Sequence, residues 1–175
     1  WMHRNTPDDS DVFMVDVTSG YGVLGLMGPR SRELLSRVTD ADTSNDAFPF
    51  LASREIEIGY GAVRATRITY VGELGWELYV PTEFMLTVYE AIVDSGAEFG
   101  LRHAGYHAME TLRIEKAYRA WGLDITDQET PLEAGLGFAV ALDKDADFIG
   151  KDALLRQREE GLDQRLAVFT LDDEE

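Results

Sequence analysis

The segment Ile68-Thr69-Tyr70-Val71-Gly72-Glu73-Leu74-Gly75-Trp76-Glu77-Leu78-Tyr79 reads as a hairpin that carries chemistry. With residues 72–75 as its loop, Val71 faces Trp76 and Tyr70 faces Glu77. Side chains of a directly opposed pair share one face of the sheet, with Cβ atoms about 5 Å apart. An aromatic ring and a carboxylate are then presented together, next to Ile68 and Tyr79. That pairing suits a flat heterocycle with adjacent N–H donors: the ring packs on Tyr70 while Glu77 accepts two hydrogen bonds. From the residues alone, Glu77 reads more readily as an ordinary solvent-facing strand residue.

A second group lies in Leu112-Arg113-Ile114-Glu115-Lys116, with Trp121 eight residues after Arg113 and on nearly the same side of a helix. Arg113 could clamp a carboxylate bidentately, or form an intrahelical ion pair with Glu110 or Glu115; spacing does not separate these readings. His103 and His107 stand four apart with Glu110 one turn on, a spacing that could present two imidazoles to a metal. Ala104 occupies the place where a zinc hydrolase needs its glutamate, so the histidines read as structural or surface residues and no metal site is assigned. Gly20-Tyr21-Gly22-Val23-Leu24-Gly25 matches a dinucleotide fingerprint, but the residues after Gly22 are strand-like and helix signals wait until Pro29. A nucleotide site is therefore not assigned either.

The elements that position these residues follow from periodicity and breakers. Residues 12–17 and 23–27 are β-rich, Gly28-Pro29 breaks the pattern, and 31–38 reads as a helix with Leu34, Leu35 and Val38 inward. Strands are expected at 54–58, 62–71 and 76–80. Thr82 is expected to cap a helix that runs to about 94 and closes at Gly96. The run reads β-α-β-β-α with one more strand possible, an α+β arrangement that suggests a ferredoxin-like sandwich over residues 1–100. A long helix at 102–121 and a strand at 138–142 make a second region, 101–145. A short charged helix at 151–159 and a strand at 166–171 make a third, 146–175, read as the start of a truncated barrel.

Composition narrows the function. The hydrophobic fraction is 45% and the charged fraction 28%, as in a globular protein. Thirty-three acidic residues against 16 basic ones give a net charge of -17, which disfavours nucleic acid and anionic membranes as partners. An anionic ligand must then be held by locally placed Arg or Lys. No apolar run approaches the roughly 18 residues that span a bilayer. Cysteine is absent, which removes disulfides, thiolate metal sites and a cysteine nucleophile from this segment. The chain starts at Trp1 and shows no apolar leader, so the expectation is a cytoplasmic protein of which this is a piece, cut at both ends.

Read together, these segments resemble a known family. Residues 70–77, Tyr-Val-Gly-Glu-Leu-Gly-Trp-Glu, are similar to the tyrosine, Gly-Glu, Gly-aromatic-Glu signature of folate-binding aminomethyltransferases. The 112–116 segment followed by Trp121-Gly122-Leu123-Asp124 resembles that family's helix and its exit. Three further segments look like the branch containing dimethylglycine and sarcosine dehydrogenases beside the glycine-cleavage T-protein. They are Gly25-Leu26-Met27-Gly28-Pro29-Arg30-Ser31, Thr130-Pro131-Leu132-Glu133 and Asp147-Phe148-Ile149-Gly150-Lys151-Asp152-Ala153-Leu154.

The resemblance, which runs from about residue 16 to 170, implies a tetrahydrofolate-binding module. Glu77 would hold the amino-pyrimidine edge of the pterin, Tyr70 would line the pocket, Arg113 would meet the folate tail, and Trp121 would sit where the family more often places a tyrosine. In the family a one-carbon unit leaves an amine or iminium adduct and is captured as 5,10-methylenetetrahydrofolate. The partners implied are folate and a small amine-derived substrate, with FAD only if an oxidase domain precedes this chain in the parent. The family's catalytic aspartate precedes the matched region, so none of Asp8, Asp9 or Asp11 is given that role, no catalytic residue is assigned, and the fragment alone is expected to be inactive. Two other readings are a non-catalytic folate-binding module, like relatives that assist iron–sulfur assembly, and a purely structural domain.

Overall fold

Alternation of apolar and polar side chains along four segments builds an antiparallel sheet in the computed structural model, which describes residues 1–172. The strands are β1 (Tyr21–Met27), β2 (Ser53–Ile58), β3 (Gly61–Thr66) and β4 (Gly75–Pro81), in the order β1-β4-β3-β2. The chain falls into two units, one from Trp1 to Ala104 and one beginning at Gly105.

In the first unit every neighbouring strand pair is antiparallel. One sheet face carries Leu24 and Leu26 from β1, Trp76, Leu78 and Val80 from β4, Val63 and Ala65 from β3, and Ile56 and Ile58 from β2. Helices α1 (Ser31–Val38) and α2 (Met85–Gly96) pack there through Leu34, Leu35, Val88 and Ile92. Gly61 permits a close approach, since a Cβ on it would stand 3.1 Å from Phe84 and 3.2 Å from Val88. Trp76 is fully buried at the centre. Its ring meets Phe48 edge-on at 6.0 Å and lies beneath Arg32 and Arg67, at 5.2 and 6.0 Å. Arg32 also donates to the Thr43 carbonyl and to Asn45, which folds the loop after α1 back onto that helix.

The expected α+β class holds, as a sheet with helices packed on one side. The order within it is β-α-β-β-β-α, three successive strands forming a meander with β1 added at its edge.

Several expected elements are corrected. Residues 12–17 form no strand, and Phe13 is 92% exposed. The strand expected over 62–71 stops at Thr66, because the next backbone groups turn to the segment before β2: Arg67 N–H donates to the Ala52 carbonyl and Leu51 N–H to the Arg67 carbonyl. The β3–β4 connection is therefore 67–74, not the four-residue loop 72–75. Thr82 does not cap the next helix; its hydroxyl donates to the Ser19 carbonyl, and a 3₁₀ turn, Thr82–Phe84, precedes α2.

In the second unit the long helix expected at 102–121 is the shorter α3 (Tyr106–Glu115). It ends in a Schellman arrangement, with Tyr118 N–H donating to the Arg113 carbonyl and Ala117 N–H to that of Ile114. Ala117 has φ 57°, a conformation usually given to glycine, which is why sequence reading ran past the stop. The charged helix holds, as α4 (Lys151–Glu160). The strands expected at 138–142 and 166–171 do not form: Gly137–Ala139 is a 3₁₀ turn, and 166–171 has no regular structure.

Two stability changes follow. Trp76→Ala should destabilise the chain by about 3–5 kcal/mol in urea unfolding, and Trp76→Phe by less than half as much because most of the ring volume is kept. Ala117→Gly should raise the thermal midpoint through a net gain of about 0.5 kcal/mol, relief of the left-handed strain outweighing the added unfolded-state entropy.

Candidate functional site

Because successive side chains of a strand point to opposite faces, burying Trp76, Leu78 and Val80 forces Glu77 and Tyr79 onto the outer face of the sheet, where both are half-buried. The ladders fix their neighbours. Glu77 is flanked by Gly25 on β1 and Thr66 on β3, and Tyr79 by Val23 and Arg64. The Tyr79 hydroxyl donates to Glu77 Oε2 at 2.7 Å. This bond, with burial and the nearby negative charge adding to it, raises the Tyr79 pKa above the ordinary value of 10.0.

Gly25 leaves the β1 side of Glu77 without a side chain. A Cβ there would find only Met27 Cε, at 3.8 Å, so the strand tolerates a larger residue but carries none. The result is a shallow outward patch with an acceptor, an aromatic hydroxyl and open space beside them. Two cavities of this unit, about 550 and 350 Å³, are lined by other residues, among them Arg37, Asp40 and Glu57 in one and Arg30, Phe99 and Arg102 in the other.

The register changes the role expected of Tyr70. Thr66, not Tyr70, stands opposite Glu77, and Tyr70 lies half-buried in the bend that follows, where Val71 N–H donates to the Thr69 hydroxyl. An aromatic residue and a carboxylate do share a face, but the ladder supplies Tyr79 as the aromatic. Sequence reasoning noted Tyr79 only as a neighbour; its i, i+2 relation to Glu77 within one strand was the signal that could have found it.

In the second unit, Arg113 is 3% exposed and held on several sides. It binds Glu110 through Nε at 3.0 Å and Nη2 at 2.5 Å, and through Nη1 it reaches the Tyr118 carbonyl at 2.9 Å and the Asp124 carboxylate. Asp124 also accepts from Ala120 N–H at 2.8 Å. The ion-pair alternative is thus realised with Glu110, though buried instead of on a solvated face. Arg119 similarly binds the carbonyls of Ala117 and Ala134, at 2.8 and 2.7 Å. Trp121 is 72% exposed, and its backbone bridges to Ile125. His103 and His107 do not share a helix: His103 precedes α3, and its Nε2 lies 2.9 Å from the Tyr89 hydroxyl.

Geometry thus joins Glu77 with Tyr79 in one unit and Arg113 with the Trp121 loop in the other. The raised Tyr79 pKa fixes a pH window. The Tyr79–Glu77 bond contributes in full below pH 10 and is lost as pH rises through the folded-state pKa. Alkaline titration at 295 nm should therefore reveal one of the seven tyrosines ionising late, and Tyr79→Phe should remove that component.

The GCVT N-terminal domain model matches residues 1–144. Among curated relatives, the pyruvate dehydrogenase phosphatase regulatory subunit, mitochondrial, of Mus musculus is 43% identical over 174 residues, covering 99% of this chain and 20% of that protein. Dimethylglycine dehydrogenase, mitochondrial, of Homo sapiens is 46% identical over 161 residues, covering 92% of this chain and 19% of that protein. An aminomethyltransferase of Caldanaerobacter subterraneus is 38% identical over 174 residues, covering 98% of this chain and 45% of that protein. The chain thus spans from about a fifth to under half of the length of these relatives. A match over most of the chain, by both a domain model and enzymes of this kind, places it: the chain belongs to the GCVT N-terminal domain family, as a relative of the aminomethyltransferases and the dimethylglycine and sarcosine dehydrogenases.

Proposed function

We propose that this chain is part of a tetrahydrofolate-dependent, aminomethyltransferase-type protein and supplies the carboxylate that holds the pterin. The observation that carries the reading is the outward Glu77 of β4, half-buried, hydrogen-bonded by Tyr79 and flanked by a glycine, in a chain of this family. A pterin edge offers adjacent N–H donors. A carboxylate accepts up to about four hydrogen bonds, so Glu77 can serve that edge while Tyr79 keeps one site. The missing side chain at Gly25 gives a flat ring room to approach. When bound, tetrahydrofolate supplies the nitrogens that capture a one-carbon unit from an amine or iminium adduct.

The residues of this chain bind and orient. Tyr70 and Trp121 are proposed as further ligand contacts. Arg113, proposed for the folate tail, already satisfies two carboxylates and a carbonyl; these bonds support its holding the 118–124 loop that carries Trp121. A finer part of the same proposal is that the chain alone is inactive.

One relative favours a second reading. A regulatory subunit is 43% identical to this chain, which supports a module that binds folate, or only packs, without catalysing transfer.

Calorimetry with 5-formyltetrahydrofolate on the full-length protein separates these readings. Glu77→Gln should weaken binding by about 2 kcal/mol, roughly thirtyfold, as for a lost charged acceptor. Gly25→Val should weaken it as well while leaving the thermal midpoint near that of the wild type. Folate binding without one-carbon transfer would favour the non-catalytic module, and no binding at all would leave only a structural role.

A further inference from the structure

We propose that Tyr79 is a positioning residue for Glu77, one that presets the carboxylate for a ligand edge; this rests on the folate reading of Glu77. A glutamate side chain on an open sheet face turns about three bonds, and a ligand that uses it must fix those rotations on binding, at an entropic cost. Here the rotations are restricted beforehand. Tyr79 lies two residues along the same strand, so its ring stands on the same face as Glu77. At 2.7 Å its hydroxyl is within the range of bonds donated to charged oxygens.

The tyrosine is itself set in place. It has only two side-chain torsions, and Val23 and Arg64 face it from the two adjoining strands. Gly25 and Thr66, which flank Glu77, are too small to do the same for the carboxylate. Among the described residues the phenol is therefore the group that orients Glu77. Occupying Oε2 also biases a ligand's two donors toward the remaining acceptor positions, so the tyrosine contributes to the pose as well as to the affinity.

The test is a double-mutant cycle on the full-length protein, with Tyr79→Phe, Glu77→Gln and both together, read as 5-formyltetrahydrofolate affinity and thermal midpoint. Alkaline titration of each variant accompanies it. The expected result is that Tyr79→Phe weakens binding about fivefold with little change in thermal midpoint, and that this effect disappears in the Glu77→Gln background. The late-ionising tyrosine should move back toward ordinary behaviour when Glu77 is replaced, a signature that a packing role for the ring would not produce. An equal loss in both backgrounds overturns the inference, because the ring would then act without the carboxylate. Unchanged affinity in Tyr79→Phe overturns it too, while a loss in Glu77→Gln alone leaves the folate reading standing. If Glu77→Gln has no effect on a protein that binds folate, the assignment of Glu77 fails and the inference fails with it.

Discussion

Along β4, side chains alternate between two environments that cannot be exchanged. Trp76, Leu78 and Val80 are buried against α1 and α2, each contributing on the order of 2 kcal/mol through removal of apolar surface from water. A one-residue slip would turn all three outward and drive Glu77 and Tyr79 into the core, where an unpaired carboxylate is prohibitively costly. The register is therefore fixed by the core, and the position of the polar patch follows from it. The same ladders decide what stands beside Glu77: a glycine on one side and a threonine on the other.

The second unit is organised differently. It buries few large apolar side chains among the described residues and relies on polar anchoring. Arg113 and Arg119 bind carbonyls and carboxylates across the loop that follows α3. The Thr130–Glu133 turn closes on itself, Thr130 N–H donating to the Glu133 carboxylate and Glu133 N–H to the Thr130 hydroxyl. Removing one member of such a network strands the others, so arginines in this region are held by structural demand whether or not they meet a ligand.

How legible this was in the sequence depended on the range of the interaction responsible. Alternation in 54–58 and 76–80, and the Leu34, Leu35 pattern of α1, are local, and those elements appear where expected. The Tyr70–Glu77 pairing failed because it assumed a minimal loop, whereas Arg67 pairs with Ala52, a contact fifteen residues away that no local pattern announces. The helix expected at 102–121 is shorter at both ends: its stop uses an alanine where local rules look for a glycine, and His103 lies outside it. Apolar segments at 12–17 and 166–171 have strand-like composition but find no strand partner among the described residues. The motif containing Glu77 was recognisable from residue types alone; that Tyr79 grips it required the register and the hydroxyl geometry.

The folate reading requires Glu77 to face a ligand from the outer surface of the sheet, and a crystal structure of the full-length protein with 5-formyltetrahydrofolate tests this most directly. It predicts pterin N–H donors within about 3.2 Å of the Glu77 carboxylate, the ring lying on the Gly25 side and the Tyr79 hydroxyl still bound to the same carboxylate. A folate bound elsewhere, with Glu77 and Tyr79 touching only solvent or another part of the protein, would contradict it.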